Sequence, residues 1–488
     1  MSRFLFLVLF GFVSSVCAYG PIGHEIVGGV ADKLIARTPT AAKVNALLNG
    51  ITLEKASVIA DEIKAWDKNG PEDPKAFPHY VNHPEIDRQL REFWHANPPT
   101  HDPNSAVPSH HWFHYTDVPV FAATKYSAGN RGRSQWDVVH MIPYCIGVLK
   151  GEIPEQNPRK ITKSVAVILL AHYVGDIHQP LHVGAEYFDQ SGNAVDPDRT
   201  KSALEDEGGN MLTLQLHNGG QPGPHHNLKL HGFWDNEGVM MNLGAQSVQA
   251  SKEQRREENE QGKSKLIDEF AATEPRNWRL PPSVPLKNYA EAWADEILPI
   301  AREAHERLQF NGVHSQLDQD REVAAGIAEE KSISDHLAYS EWVAKVVREE
   351  LHKAGWRLAD LLTQSLTSTT MSPEAAPATP VPQEPSPVAQ SAPAVAPPAA
   401  TPPSTQSQDP YGPYPENYKE IITAWMRTNS LDVSHLDWQG APKPAEMPGL
   451  GGQRLRGYLV IFNTLEQSKA KTRSVLIRNG SVISNMGF

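Results

Sequence analysis

Between Pro373 and Pro410 the chain holds 12 prolines in 38 residues, interleaved with Ala, Ser, Thr and Gln and almost devoid of large apolar side chains. Such a stretch cannot bury enough surface to offset the entropy of ordering it, so residues 369–410 are expected to form an extended tether. The 488 residues are thereby split into a body, 19–368, and a tail, 411–488, each needing its own core. Apolar residues at 40% and charged residues at 21% are ordinary for globular proteins, which excludes a fibrous or wholly disordered chain.

Residues Met1 to Ala18 have one positive charge, Arg3, an apolar run from Phe4 to Val13, and Val16 and Ala18 at the −3 and −1 positions of a signal-peptidase site. This pattern predicts a cleaved leader and an exported product, secreted or periplasmic. The run is too short to span a bilayer and no later stretch reaches about 18 apolar residues, so no membrane insertion is expected. A rival reading makes Cys17 a lipoprotein acylation site, although Ser14, Ser15 and Val16 fit that signal poorly. Cleavage leaves Cys145, in VVHMIPYCIGVL, as a lone thiol predicted to be buried; two cysteines make no disulfide framework. A monomer without a protein partner is expected.

Forty-five Lys and Arg against 57 Asp and Glu give a net charge of −12, of which the tail contributes +3 and the body −13. A chain so acidic has no general attraction for a polyanion, so any nucleic-acid contact must be local. The body is expected to be helical. SVAVILLAHYVGDIH, NYAEAWADEILPIAREAHERL and YSEWVAKVVREELHKAGWRLADLLTQ repeat apolar residues three and four apart, and few alternations suggest strands. The charged run 251–265 is expected to be a solvated helix face or loop. In the tail an amphipathic YKEIITAWMRT precedes strand-like YLVIFNTL and SVLIRNGSVI, the latter with an Asn479-Gly480 turn, which predicts a small α+β domain.

Twenty-one histidines are the first hint of chemistry, because neutral imidazole is the commonest metal ligand. In AHYVGDIHQPLHVG, residues 171–184, His172 and Asp176 are four apart on one helical face, and His182 follows Pro180. The bland alternative is a capped helix end with a satisfied core histidine. His231 and Asp235 in HGFWD repeat the spacing, which an ordinary surface ion pair would also produce. His24 in YGPIGHEIVGGVA, Asp61 in ASVIADEIK and His114 in HHWFHYTDVP are weak signals singly. Together they make five imidazoles and three carboxylates without a thiolate, a set suited to zinc and to phosphoester hydrolysis by clustered ions.

These residues, in this order, resemble the secreted zinc-dependent single-strand-specific nucleases of fungi, plants and bacteria, relatives of bacterial zinc phospholipase C. The resemblance rests on YGPIGH, ADEIK, FHYTD, HYVGDIHQPLHVG, HGFWD and HKAGWRLADLL, over about residues 19–364 with unmatched stretches near 65–110, 185–230 and 245–285. It implies an all-α catalytic domain with a trinuclear zinc cleft, alongside the α+β tail on its Pro-rich linker. One Zn2+ would take Asp61, His114, His172 and Asp176. A second would take His182, His231 and Asp235. The third would take His24, Asp176, and the amine and carbonyl of the mature first residue, Tyr19.

The family pattern has Trp where Tyr19 stands and Arg where Lys64 stands. The first change leaves backbone ligation possible, while the second replaces a planar fork by a point charge in the catalytic pair Asp61 and Lys64. Tyr115 and Asp117 match the family's nucleobase slot, and the alternatives for them are a half-buried aromatic and a helix cap near Pro119. The implied activity is endonucleolytic cleavage of single-stranded DNA and RNA to 5′-phosphorylated products, and the resemblance also admits 3′-nucleotidase activity. Two rivals are a phospholipase C, whose last ligand is normally Glu rather than an Asp such as Asp235, and a non-catalytic zinc-binding adhesion protein. The tail faintly resembles a small domain of bacterial exported proteins and carries no catalytic motif.

Overall fold

The computed structural model describes residues 19–71, 80, 82–99, 109–218, 221–222, 227–244, 250–318, 321–332, 337–366, 411, 414–415, 417–428, 433, 436–438, 442–448, 454–466, 469–478 and 481–486. The leader with Cys17, the tether and the Asn479-Gly480 turn lie outside the described residues. The chain divides into two compact units, Met1–Ala376 and Pro377–Phe488.

At the heart of the first unit lies the helix Lys163–Asp176, buried at every position from Ser164 onward. A helix apolar on all sides has no face to give to water, so others must surround it. Thr162 caps it, its hydroxyl accepting from the Val165 amide at 3.2 Å. Its last turn presents His172 and Asp176, after which Pro180 opens a 3-10 turn, Pro180–His182. Cys145 is a buried free thiol on the neighbouring helix Val138–Lys150.

The opening helix, Pro21–Ile35, starts on Pro21, whose missing N–H is no loss at that position. It meets the one-turn helix Leu53–Ala56 so closely that a Cβ on Gly28 would stand 2.3 Å from the Leu53 carbonyl oxygen. Asp32 completes the contact, its two oxygens accepting from the Leu53 and Glu54 amides at 3.1 and 3.0 Å. The closing helix, Tyr339–Leu366, also packs on the opening helix, with Val30 against Gly355. The charged run near residue 251 forms the start of helix Lys252–Ala272 and is not wholly solvated. Lys263 is only 2% exposed, its Nζ 2.6 Å from Glu25 and 3.0 Å from Glu54.

The body is helix-rich but not all-α, which corrects the expectation from periodicity. Leu308–Asp318 and Arg321–Glu330 form an antiparallel hairpin, Leu212–Gln215 joins the second strand in parallel, and Leu228–Lys229 completes a four-stranded sheet. The strand REVAAGIAEE is rich in Ala and Glu, residues that favour helix locally. Pairing on both sides holds it extended, since strand preference follows neighbours more than residue type.

In the second unit the helix Tyr418–Thr428 accompanies a five-stranded antiparallel sheet built on Arg454–Glu466 and Lys469–Arg478. Ile422 and Met426, one turn apart, close a core with Val460, Phe462, Val475 and Ile477, which alternate along the two strands.

Substituting Gly28→Ala should destabilise the body by about 1–3 kcal/mol, because the methyl meets backbone rather than a movable side chain. Urea denaturation measures this, and an unchanged midpoint would show that the opening helix can retreat at no cost.

Candidate metal centre

Three elements converge on the last turn of the central helix. His24, on the first turn of the opening helix, stacks on His172 with ring centroids 3.8 Å apart and places Nε2 3.4 Å from Asp176 Oδ1. Asp61 lies on the one-turn helix Ile59–Glu62 and His114 ends the 3-10 turn His110–His114. His114 Nδ1 is 3.0 Å from His172 Nε2, 3.1 Å from Asp176 Oδ2 and 3.8 Å from Asp61 Oδ1. His172 Nε2 is 3.6 Å from Asp61 Oδ1 and 3.3 Å from Asp176 Oδ2.

Beside this group stand His182, His231 and Asp235. His231 Nε2 is 3.0 Å from His182 Nε2 and 3.4 Å from Asp235 Oδ2. The segment Phe233–Glu237 is a π-helical turn, a wide turn of the kind frequent at functional sites. Three sets can therefore each hold a metal ion, with ligand atoms within 4.8 Å of one another: His24, His172 and Asp176; Asp61, His114 and His172; His182, His231 and Asp235.

Backbone carbonyls decide which imidazole nitrogen faces inward. His172 Nδ1 donates to Ser57 O at 2.6 Å, His182 Nδ1 to His114 O at 2.9 Å and His231 Nδ1 to Gly208 O at 2.7 Å. A carbonyl only accepts, so each Nδ1 carries the proton and each Nε2 turns a lone pair toward the centre. Asp235 is oriented likewise, accepting from Gln179 Nε2 at 2.8 Å. Burial pushes the His231 pKa down to about 4 and holds His114 and His182 well below the ordinary histidine range. Burial also raises Asp176 to about 8, whereas Asp61 stays ionised because Lys64, His172 and His24 outweigh its burial. Two lone pairs 3.0 Å apart on His182 and His231 repel unless a cation lies between them. The donor set fits a metal.

Lys64 Nζ sits 2.7 Å from Asp61 Oδ1, so it neutralises the carboxylate beside the centre. Tyr19 is buried, and its phenol donates to His178 O at 2.8 Å while the Gly20 amide donates to Asp235 O at 2.7 Å. The start of the body is thus tied to both the central motif and the HGFWD turn. His178 in turn accepts from Arg357 Nη1 at 2.9 Å, and Arg357 pairs with Glu296.

Tyr115 is half-buried, 6.1 Å from Trp112 between ring centroids, and Asp117 is buried at 7% exposure. Burial and the hydrogen-bonded Glu205 carboxyl raise the Asp117 pKa well above the carboxylate range. Arg321 faces this acidic group, bonded to Glu207 Oε1 at 2.5 Å and lying 5.6 Å from the Trp112 ring. Sequence reasoning missed Glu205, Glu207 and Arg321, which come from a two-residue strand, the turn after it and a hairpin, none with a motif. It also passed over Gln179, whose place inside GDIHQPLH was a usable signal.

The family model described as S1/P1 nuclease matches residues 19–367, from the buried Tyr19 through the closing helix. The chain belongs to the S1/P1 nuclease family. No curated protein matches it. Membership makes this body a nuclease, a hydrolase acting on nucleic acid, and gives the three His and Asp sets their metal-binding context.

In this S1/P1 nuclease the loop that orients His231 is itself held by an ion pair. Asp206 Oδ2 accepts from His305 Nε2 at 3.1 Å, Asp206 Oδ1 accepts from the Glu186 amide at 3.0 Å, and His305 Nδ1 donates to Ala301 O at 2.8 Å. Burial alone would lower the His305 pKa, but Asp206 outweighs it and lifts the group to about 9. A folded pKa above the unfolded value of about 6.5 means stabilisation fully present below pH 6.5 and lost as pH rises through about 9. In chelated protein, the stability deficit of His305→Gln against wild type should therefore be larger at pH 6 than at pH 9.5 by urea denaturation. Equal deficits would contradict the ion pair.

Proposed function

We propose that this nuclease is an exported zinc enzyme that cleaves single-stranded DNA and RNA internally and leaves 5′-phosphates. The observation that carries the reading is the inward-facing set of buried Nε2 lone pairs and carboxylates, above all His182 opposite His231 at 3.0 Å. Its chemistry is that of zinc ligands without thiolate, and the family it belongs to acts on nucleic acid. Among the described residues no helix is long and apolar enough to cross a membrane.

Asp61, His114, His172 and Asp176 would hold one zinc, His182, His231 and Asp235 a second, and His24, Asp176 and the Tyr19 backbone a third, supplying Lewis acidity and a water acidified toward neutral pH. Asp61, kept ionised by its neighbours, orients the attacking water toward phosphorus. Lys64 lends a positive charge to the phosphate oxygens while remaining paired to Asp61. Tyr115 offers its ring to an unpaired base, and every base has a π face, so the contact tolerates sequence but requires a single strand. Asp117, whose carboxyl gives its one O–H to Glu205, keeps a carbonyl oxygen that accepts a hydrogen bond from the base edge. On a body of charge −13, stacking and metal contacts replace the basic groove that other nucleases use.

The test is cleavage of single-stranded DNA, RNA and duplex DNA by protein beginning at Tyr19, chelated and then restored with zinc, with phosphatidylcholine as a control substrate. Zinc-restored release of 5′-phosphorylated fragments from single strands is expected, and lipid hydrolysis without nucleic-acid cleavage would replace the reading by a phospholipase. Tyr115→Ala should weaken single-strand binding by about 1–3 kcal/mol, seen as a rise in KM. Protein with one residue added before Tyr19 should lose a zinc and its activity, since the free α-amine is then gone; full activity would remove Tyr19 from the ligand set.

A further inference from the structure

Ligand-type side chains also gather outside the centre just described. Asp67 Oδ1 is 3.3 Å from His110 Nε2, Asp67 Oδ2 makes a short contact with His111 Nε2, and the three donor atoms fall within 4.8 Å of one another. Trp94 Nε1 donates to Asp67 Oδ1 at 2.7 Å, which fixes the carboxylate as outer-shell donors fix metal ligands. His110 is 1% exposed, and its Nδ1 has no hydrogen-bond partner. His111 is partly open to solvent, with its side chain 44% exposed, so an ion and its remaining waters have a way in.

The placement of these residues is a second argument. Asp61, Lys64 and Asp67 follow one another at intervals of three along consecutive short helical turns, Ile59–Glu62, Ile63–Ala65 and Trp66–Asn69. Opposite them, the single 3-10 turn His110–His114 carries His110, His111 and His114. The two rows meet twice, as Asp61 with His114 at 3.8 Å and as Asp67 with His110 at 3.3 Å. The positive charge lying between the meetings, Lys64, is engaged with Asp61 at 2.7 Å.

We propose that Asp67, His110 and His111 form an accessory site for a borderline divalent cation, zinc in the first instance, separate from the three sets of the nuclease centre. Two imidazole nitrogens and one carboxylate oxygen, with a solvent-facing side left for water, are a recognised donor set for such ions. The ion has no part in the chemistry. It staples the segment that bears Asp61 and Lys64 to the turn that bears His114 and Tyr115, and so fixes the spacing between a centre ligand and the base-stacking ring.

The experiment counts zinc per chain by mass spectrometry of the metal after dialysis of the full body-and-tail protein, beginning at Tyr19, against micromolar zinc. His111→Gln is the main variant, because a partly exposed side chain can be exchanged without opening the core; Asp67→Asn is the second. Each should hold one zinc fewer than wild type, and zinc should raise the Tm of chelated wild type more than that of His111→Gln. The difference of one is read whatever number the main centre holds, so it stands or falls independently of the nuclease assay. Equal zinc counts in wild type and His111→Gln would overturn the proposal and leave Asp67 as a hydrogen-bonded anchor for two histidines and a tryptophan.

Discussion

Three backbone carbonyls, those of Ser57, His114 and Gly208, hold the Nδ1 protons of His172, His182 and His231, and the rest of the centre depends on that arrangement. Each carbonyl belongs to a segment that the fold positions for other reasons. Ser57 follows the one-turn helix that Asp32 caps and Gly28 admits. Gly208 follows Asp206, which is paired to His305 on the helix Tyr289–Glu306. His114 is both a ligand-type residue and the acceptor for His182, so the two neighbouring sets are mechanically linked through one residue. Displacing any of these segments turns an imidazole before it removes one.

The electrostatics of the body follow the same logic. Burial strips the proton from His114, His182 and His231 while it drives Asp176 and Asp235 toward protonation. Each shift has the same origin, the cost of isolated charge in a dry place, and a divalent cation relieves both at once. A second acidic group, Asp117, Glu205 and Glu207, answers the same cost differently. It shares protons and leans on Arg321, which lies over Trp112. The same desolvation cost is thus met in one place by a donor set that fits a metal and in the other by shared protons and an arginine.

Much of the centre was legible because it is written in side chains at helical spacing. His172 and Asp176 share a face because 3.6 residues make a turn, and the pair in HGFWD remains a pair even on a π-helical turn. The orienting carbonyls were not legible, since every residue has one and no residue type announces its use. The hairpin 308–330 escaped notice because its strands are polar and Ala-rich, so that pairing rather than composition holds them extended. Lys263 looked like part of a solvated face until Glu25, from the opening helix, proved to be its partner. The tail was easier to read: Ile422 with Met426, and Val460 with Phe462, already show the two periods on which its small core is built.

The column of contacts from Tyr19 through His178 and Arg357 to Glu296 bears on the order of events during synthesis. A chain leaves the ribosome from its amino end, yet the first residue of the body and the central motif are braced by an arginine near the body's last turn. Contacts of such long sequence separation form late, because loop closure must come first. A nascent chain that has not yet reached Arg357 therefore carries all the histidines of the centre without the brace behind them. Completion of this brace is deferred until nearly the whole body has been made.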